Sequence, residues 1–172
     1  MDICFKYELK GERISLTRNE KISLIERFEK LSYEFDDVLE LSKELILFRP
    51  FDDAWSIKEQ IVHCLEVDIA NFHRYRRAIA QPDTPILSIN QVWTKNLDYQ
   101  SSDIKLTLDL IKMVRTYMSL HLKTIADHDW TKYAYIHDKN GRINLEEALS
   151  QYTDHVGYHR KLIDRNIELF NK

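Results

Sequence analysis

The sequence predicts an all-α fold, a four-helix bundle with one long crossover loop. Three observations carry this expectation. Four stretches repeat apolar residues at helical spacing, and each is preceded by a capping residue. Only 3 Gly and 3 Pro leave little material for the turns of a many-stranded sheet. One stretch, residues 81–101, holds Pro82, Pro85, Asn90, Asn96 and Ser101 and reads as a long crossover.

Residues 1–18 alternate Ile3, Phe5, Tyr7 and Leu9 with polar residues, which suggests a short strand or an extended arm broken at Gly11. The bundle domain is expected over 19–172. Thr17 and Glu20 have capping-box spacing. Leu24, Phe28, Leu31, Phe35, Val38 and Leu45 then continue one apolar stripe, predicting a single helix to about Leu47, ended by Pro50. Ser56 with Glu59 opens the second helix, whose stripe is Ile57, Ile61, Cys64, Phe72, Tyr75 and Ile79. Asp68 interrupts that stripe and needs a partner. This helix should fade before Pro82.

The crossover carries one short turn around Val92 and Trp93. Ser101 or Ser102 is expected to cap the third helix. Leu106, Leu110, Met113, Tyr117 and Leu120 are its expected buried stripe, ending near Asp127. Tyr133 and Tyr135 alternate with smaller residues before Asn140-Gly141, which predicts a small hairpin or tight loop. Asn144 with Glu147 opens the fourth helix. Its seam is Leu145, Leu149, Tyr152, Val156, His159 and Ile163, with Phe170 continuing it.

Charge and composition exclude some functions. A net charge of −3 and a pI near 6.2 give no electrostatic footprint for nucleic acid. Cys4 and Cys64 sit in no metal or redox spacing, so free thiols in a reducing compartment are expected. The N-terminus lacks a signal-peptide pattern, and no apolar run reaches membrane-spanning length. A cytoplasmic protein is the expectation.

The fourth helix also carries Asp154-His155-Val156-Gly157-Tyr158-His159. Residues at i and i+4 share a helix face, so His155 and His159 can address one metal ion. Imidazole suits zinc, nickel, copper or iron. The pair alone closes no site. With seven His in 172 residues, such a pair arises by chance in roughly a quarter of comparable sequences. A catalytic zinc takes three protein ligands, so a third must come from elsewhere in the chain.

The second helix opens Trp55-Ser56-Ile57-Lys58-Glu59-Gln60-Ile61-Val62-His63, followed by Glu66 and Asp68. This opening, together with the C-terminal His-x-x-x-His, resembles the DinB/YfiT-like superfamily over about residues 20–170. The resemblance implies a four-helix bundle holding a divalent metal by three His, here His63, His155 and His159. Zinc or nickel is implied first, iron or manganese after them. It further implies a small-molecule substrate, and either S-transfer from a low-molecular-weight thiol, which is placed somewhat ahead, or hydrolysis. Homodimers are common in the superfamily. A homodimer through helix faces is therefore expected, with Trp93 and Trp130 as exposed-looking aromatics. A non-catalytic dimeric metal-binding or stress-response bundle is the alternative. On a helical wheel His63 lies on the flank of the second helix's stripe, which places a metal at the rim of the bundle.

Such a site needs a carboxylate to orient an imidazole or to move a proton. Glu59, Glu66 and Asp68 are the candidates, with Asp154 beside them. Arg74, Arg77 and Arg160 could hold an anionic thiol. Each of these charges except Asp68 also fits an ordinary solvated helix face.

Overall fold

The computed structural model describes residues 15–90 and 92–172. Four long helices form the bundle: α1 (Arg18–Lys30), α3 (Ile57–Ala80), α5 (Ile104–Thr124) and α6 (Leu145–Phe170). Short helices α2 (Lys43–Leu47) and α4 (Val92–Asn96) lie in the connections. The strand or arm expected over 1–18 falls on residues outside the described ones, apart from Ser15–Thr17 and Arg18, which already opens α1.

Helix starts follow local chemistry. Thr17, Ser56 and Asn144 each accept a backbone N–H three residues on, while Glu20, Glu59 and Glu147 reach back, completing three capping boxes. The third long helix departs from expectation. Asp103, not Ser101 or Ser102, accepts from the Leu106 N–H. A carboxylate there adds a negative charge at the positive end of the helix dipole.

The first helix is also shorter than its apolar spacing implies. After Lys30 the chain tightens into 3₁₀ turns at Leu31–Tyr33 and Asp36–Glu40, and Ser42 caps α2. Phe28, Phe35, Val38 and Leu45 stay buried throughout. What breaks the helix is polar chemistry. Asp36 pairs with Lys112 at 2.7 Å, and Asp37 pairs with Arg160 at 2.6 Å, both on other helices. Ser42 offers its hydroxyl to the Leu45 N–H instead of continuing a helix interior.

Side-chain pairings give the directions of the helices. Asp68–Arg115, Phe72–Tyr117 and Tyr75–His121 ascend together, so α3 and α5 run parallel. Lys123–Glu29 and Lys112–Asp36 descend, so α1 and α5 are antiparallel. Two parallel neighbours require a connection that returns along the bundle. The crossover does this, bringing Gln100 back to the start of α3, where it bonds Ser56 at 2.9 Å.

The crossover and the expected hairpin meet in a small three-stranded sheet, an addition to the all-α expectation. β1 (Thr84–Ile86) pairs in parallel with β2 (Ala134–His137), which pairs antiparallel with β3 (Gly141–Asn144). Gly141 takes φ 73° at the turn, a left-handed conformation that glycine adopts without strain.

The core runs the length of the bundle. Phe28, Tyr75, Met118, Leu122, Trp130 and Leu149 fill one half, and Phe35, Ile57, Ile61, Leu108, Ile111 and Ile163 the other. Trp130 is fully buried rather than exposed, with its indole N–H on the Ile125 carbonyl at 2.8 Å. Phe170 is exposed and packs edge-on to Phe48 instead of extending the seam. Helix α5 is turned around from expectation. Thr107, Leu108, Ile111, Arg115, Met118, Ser119 and Leu122 face inward, and of the predicted stripe Leu106, Met113, Tyr117 and Leu120 face outward while Leu110 packs half-buried against the core. Arg115 explains the choice, because it is the partner that Asp68 requires. Its Nε and Nη2 donate to the two carboxylate oxygens at 2.6 and 2.9 Å, and Nη1 donates to the Phe28 carbonyl.

Candidate metal centre

Helices α3 and α6 cross antiparallel, which brings His63 against the His155/His159 pair. The ring of His63 lies 5.3 Å from that of His155 and 5.0 Å from that of His159. His155 and His159 are 4.4 Å apart, centroid to centroid, with their Nε2 atoms 3.0 Å apart. One ligand nitrogen from each of the three lies within 4.8 Å of the others. Among the described residues this is the cluster able to hold a metal ion. Two nitrogens bound to one tetrahedral zinc stand about 3.3 Å apart, given bonds of about 2.0–2.1 Å, so the donor set fits a divalent ion.

The imidazoles are held neutral. Burial drives His63 down to about 4. Burial, then the His63 ring, then Arg115 drive His155 down to about 3. Burial and both neighbouring imidazoles hold His159 well below its ordinary range. An uncharged imidazole keeps one ring nitrogen with a lone pair, the form in which it ligates a metal.

Gln60 settles the tautomer of His159. Its Oε1 accepts the Nδ1 proton of His159, leaving Nε2 with its lone pair toward His155. Both side chains are buried. Sequence reasoning assigned Gln60 nothing, although it sits three residues before His63 and so shares its helix face. Trp55, which opens the same motif, presents an edge-to-face contact to His63 at 4.9 Å and stacks near His159 at 6.4 Å. Tyr158 stands edge-on to His159 at 5.2 Å. These rings wall the site, and Asn166 fixes the Trp55 backbone by donating to its carbonyl at 2.8 Å.

The candidate carboxylates go different ways. Glu59 is buried, occupied by its capping box and by a bidentate pair with Arg49. Asp68 is committed to Arg115; burial pushes its carboxyl up, and the guanidinium opposes that. Asp154 bonds Arg27 at 2.9 Å. Glu66 is half-buried one turn beyond His63, and burial raises its carboxyl. Among the described residues it makes no hydrogen bond or ion pair. Two of the three arginines are taken up. Arg160 bonds Asp37, Asp164 and the Glu34 carbonyl, and Arg74 bonds Asn71 and the Leu87 carbonyl. Cys64 is a buried free cysteine whose thiol burial pushes up, away from reactivity.

Among the described residues, no helix is long and apolar enough to cross a membrane. The family model of the DinB superfamily matches residues 27–163. The chain is 21% identical over 149 residues to "Putative metal-dependent hydrolase YfiT" of Bacillus subtilis (strain 168), covering 86% of this chain and 84% of that protein. The solved structure of YfiT from Bacillus subtilis, described as a probable metal-dependent hydrolase with an unusual four-helix bundle topology, superposes with a TM-score of 0.81. It covers 94% of this chain and 93% of its own, at 19% identity.

Proposed function

We propose that this chain, which belongs to the DinB superfamily, is a metal-dependent hydrolase of a small-molecule substrate. The observation that carries this reading is the convergence of three neutral imidazoles from two helices on one point. His63, His155 and His159 would hold a divalent cation, zinc or nickel first and iron or manganese after them. Such an ion would polarise a substrate oxygen and make a coordinated water or thiol acidic near neutral pH. Three protein ligands leave a coordination position for that purpose, unlike a closed structural site.

The chain's own residues supply the remainder. Gln60 orients His159 through Nδ1. Trp55 and Tyr158 narrow the approach and exclude bulk water from the imidazoles. Glu66 is the carboxylate best placed to take and return a proton, since Glu59 and Asp68 are held by arginines. Its raised carboxyl lies closer to the neutral range in which a general base works. The hydrolase name of the YfiT relative supports the same chemistry.

S-transfer from a low-molecular-weight thiol is the second reading, because an imidazole-held cation also stabilises a thiolate. It stands behind hydrolysis here, since Arg160 and Arg74, candidates for holding an anionic thiol, are bonded within the chain. The test compares the metal-loaded protein with His159→Ala and Glu66→Gln on ester and amide substrates, with and without thiols. Hydrolysis predicts thiol-independent turnover, abolished in His159→Ala and lowered about 10²-fold or more in Glu66→Gln. Turnover that needs the thiol supports transfer. No metal-dependent turnover on any substrate favours the non-catalytic metal-binding bundle.

A further inference from the structure

Glu66 stands one turn after His63 on α3, half-buried and, among the described residues, without a hydrogen bond or ion pair. The crossover brings Tyr99 near it. Tyr99 is 1% exposed, and its hydroxyl is buried with no hydrogen-bond partner among the described residues. Buried hydroxyls are nearly always bonded, so an orphan of this kind calls for a partner. Burial, and then the Glu66 charge, push that hydroxyl up to about 12, so this carboxylate is the charge that reaches it. A donor without an acceptor is thus set near an acceptor without a donor.

The chain fixes Tyr99 from both sides. Asp98 takes φ 45° and ψ 64°, a left-handed conformation that Asp tolerates better than most residues. It leads into a 3₁₀ turn at Tyr99–Ser101, where the Ser101 N–H and hydroxyl both bond the Asp98 carbonyl. Gln100 bonds Ser56, and Lys58 donates to the Gln100 carbonyl at 2.9 Å, which ties the turn to the start of α3. Glu66 is the free member of the two. Its rotatable side chain and half-buried position let the carboxylate come to the hydroxyl.

We propose that Tyr99 is a positioning residue for Glu66, its hydroxyl donating to one carboxylate oxygen and leaving the other to face the imidazole cluster. This rests on the reading of Glu66 as the group that takes and returns a proton. The bond restricts a side chain that otherwise samples several rotamers. It also offsets burial by favouring the ionised carboxylate that a general base requires. The crossover then serves the chemistry as well as the topology.

Tyr99→Phe removes the oxygen and keeps the ring, so urea unfolding and zinc affinity should match the wild type. If the ring only packs, nothing else changes. Two further effects are expected. In metal-free protein carrying carbon-13-labelled glutamate, the Glu66 carboxyl should titrate at higher pH in Tyr99→Phe than in the wild type. No other charged group shifts Glu66, and His63 is the titratable group within one turn on its own helix, so the comparison is repeated in His63→Asn. With zinc and p-nitrophenyl acetate, kcat should fall about 10-fold at unchanged KM, a share of the roughly 10²–10⁴-fold that a general base supplies. In a Glu66→Gln background, Tyr99→Phe should cost nothing more. An unshifted Glu66 titration overturns the proposal whether or not the ester is turned over, and so does an equal cost in both backgrounds. Thiol-independent turnover with an unshifted titration leaves the hydrolase standing without Tyr99. A shifted titration with no turnover supports the contact and counts against the hydrolase.

Discussion

His159 donates its Nδ1 proton to Gln60, and that bond decides which nitrogen faces the other imidazoles. Gln60→Leu removes the acceptor while keeping an apolar filler of similar size. Zinc affinity should fall about 10- to 100-fold. Gln60→Glu, which restores a stronger acceptor, should recover it; equal affinity in all three proteins would show that the contact orients nothing. The depressed imidazoles carry a second expectation. His63 and His155 titrate near 4 and 3 in the fold, against about 6.5 in an unfolded chain. Between those values the unfolded chain binds protons that the fold excludes. Stability of the metal-free protein is therefore full above pH 6.5 and falls as pH drops toward 4, by at most about 1.4 kcal/mol per pH unit for each imidazole. Carboxylates lowered in the fold, such as Asp129 and Asp138, contribute in the same direction, so the informative quantity is a difference in slope. Thermal unfolding of a His63→Asn, His155→Asn variant should depend less on pH over this window, and identical slopes would contradict the shifts.

At the scale of elements, what lay close together in sequence was legible. The three capping boxes and the Asn140-Gly141 turn need only residues within one turn of one another, and each forms as read. What depends on distant partners was not. The break after Lys30 rests on Lys112 and Arg160, about eighty to a hundred and twenty residues away. Helix α5 has apolar residues on both sides, so periodicity could not choose its inner face. Arg115 chose it by meeting Asp68 across the parallel α3–α5 contact. That pair makes its own prediction. Arg115→Met strands a buried carboxylate and should cost about 3–5 kcal/mol in urea unfolding at pH 7. Adding Asp68→Leu should return most of the loss. Equal destabilisation in the single and double variants would mean that packing, not the charge pair, is what Arg115 supplies.

At the scale of the whole molecule, the bundle and its crossover were legible from four apolar repeats and one Pro- and Asn-bearing gap. The parallel direction of α3 and α5 was not, because nothing local in either helix records which way its neighbour runs. The candidate site depends on that architecture. His63 reaches the His155/His159 pair because α3 and α6 cross antiparallel at the level of Gln60 and His159. A flank position on a helical wheel thereby becomes a half-buried position between two helices. Calorimetric titration of zinc into untagged, metal-free protein asks whether the three imidazoles share one ion. One zinc per chain is expected, with binding weakened at least 100-fold in each of His63→Ala, His155→Ala and His159→Ala. Undiminished binding in His63→Ala, or no binding in the wild type, would contradict a shared three-imidazole site.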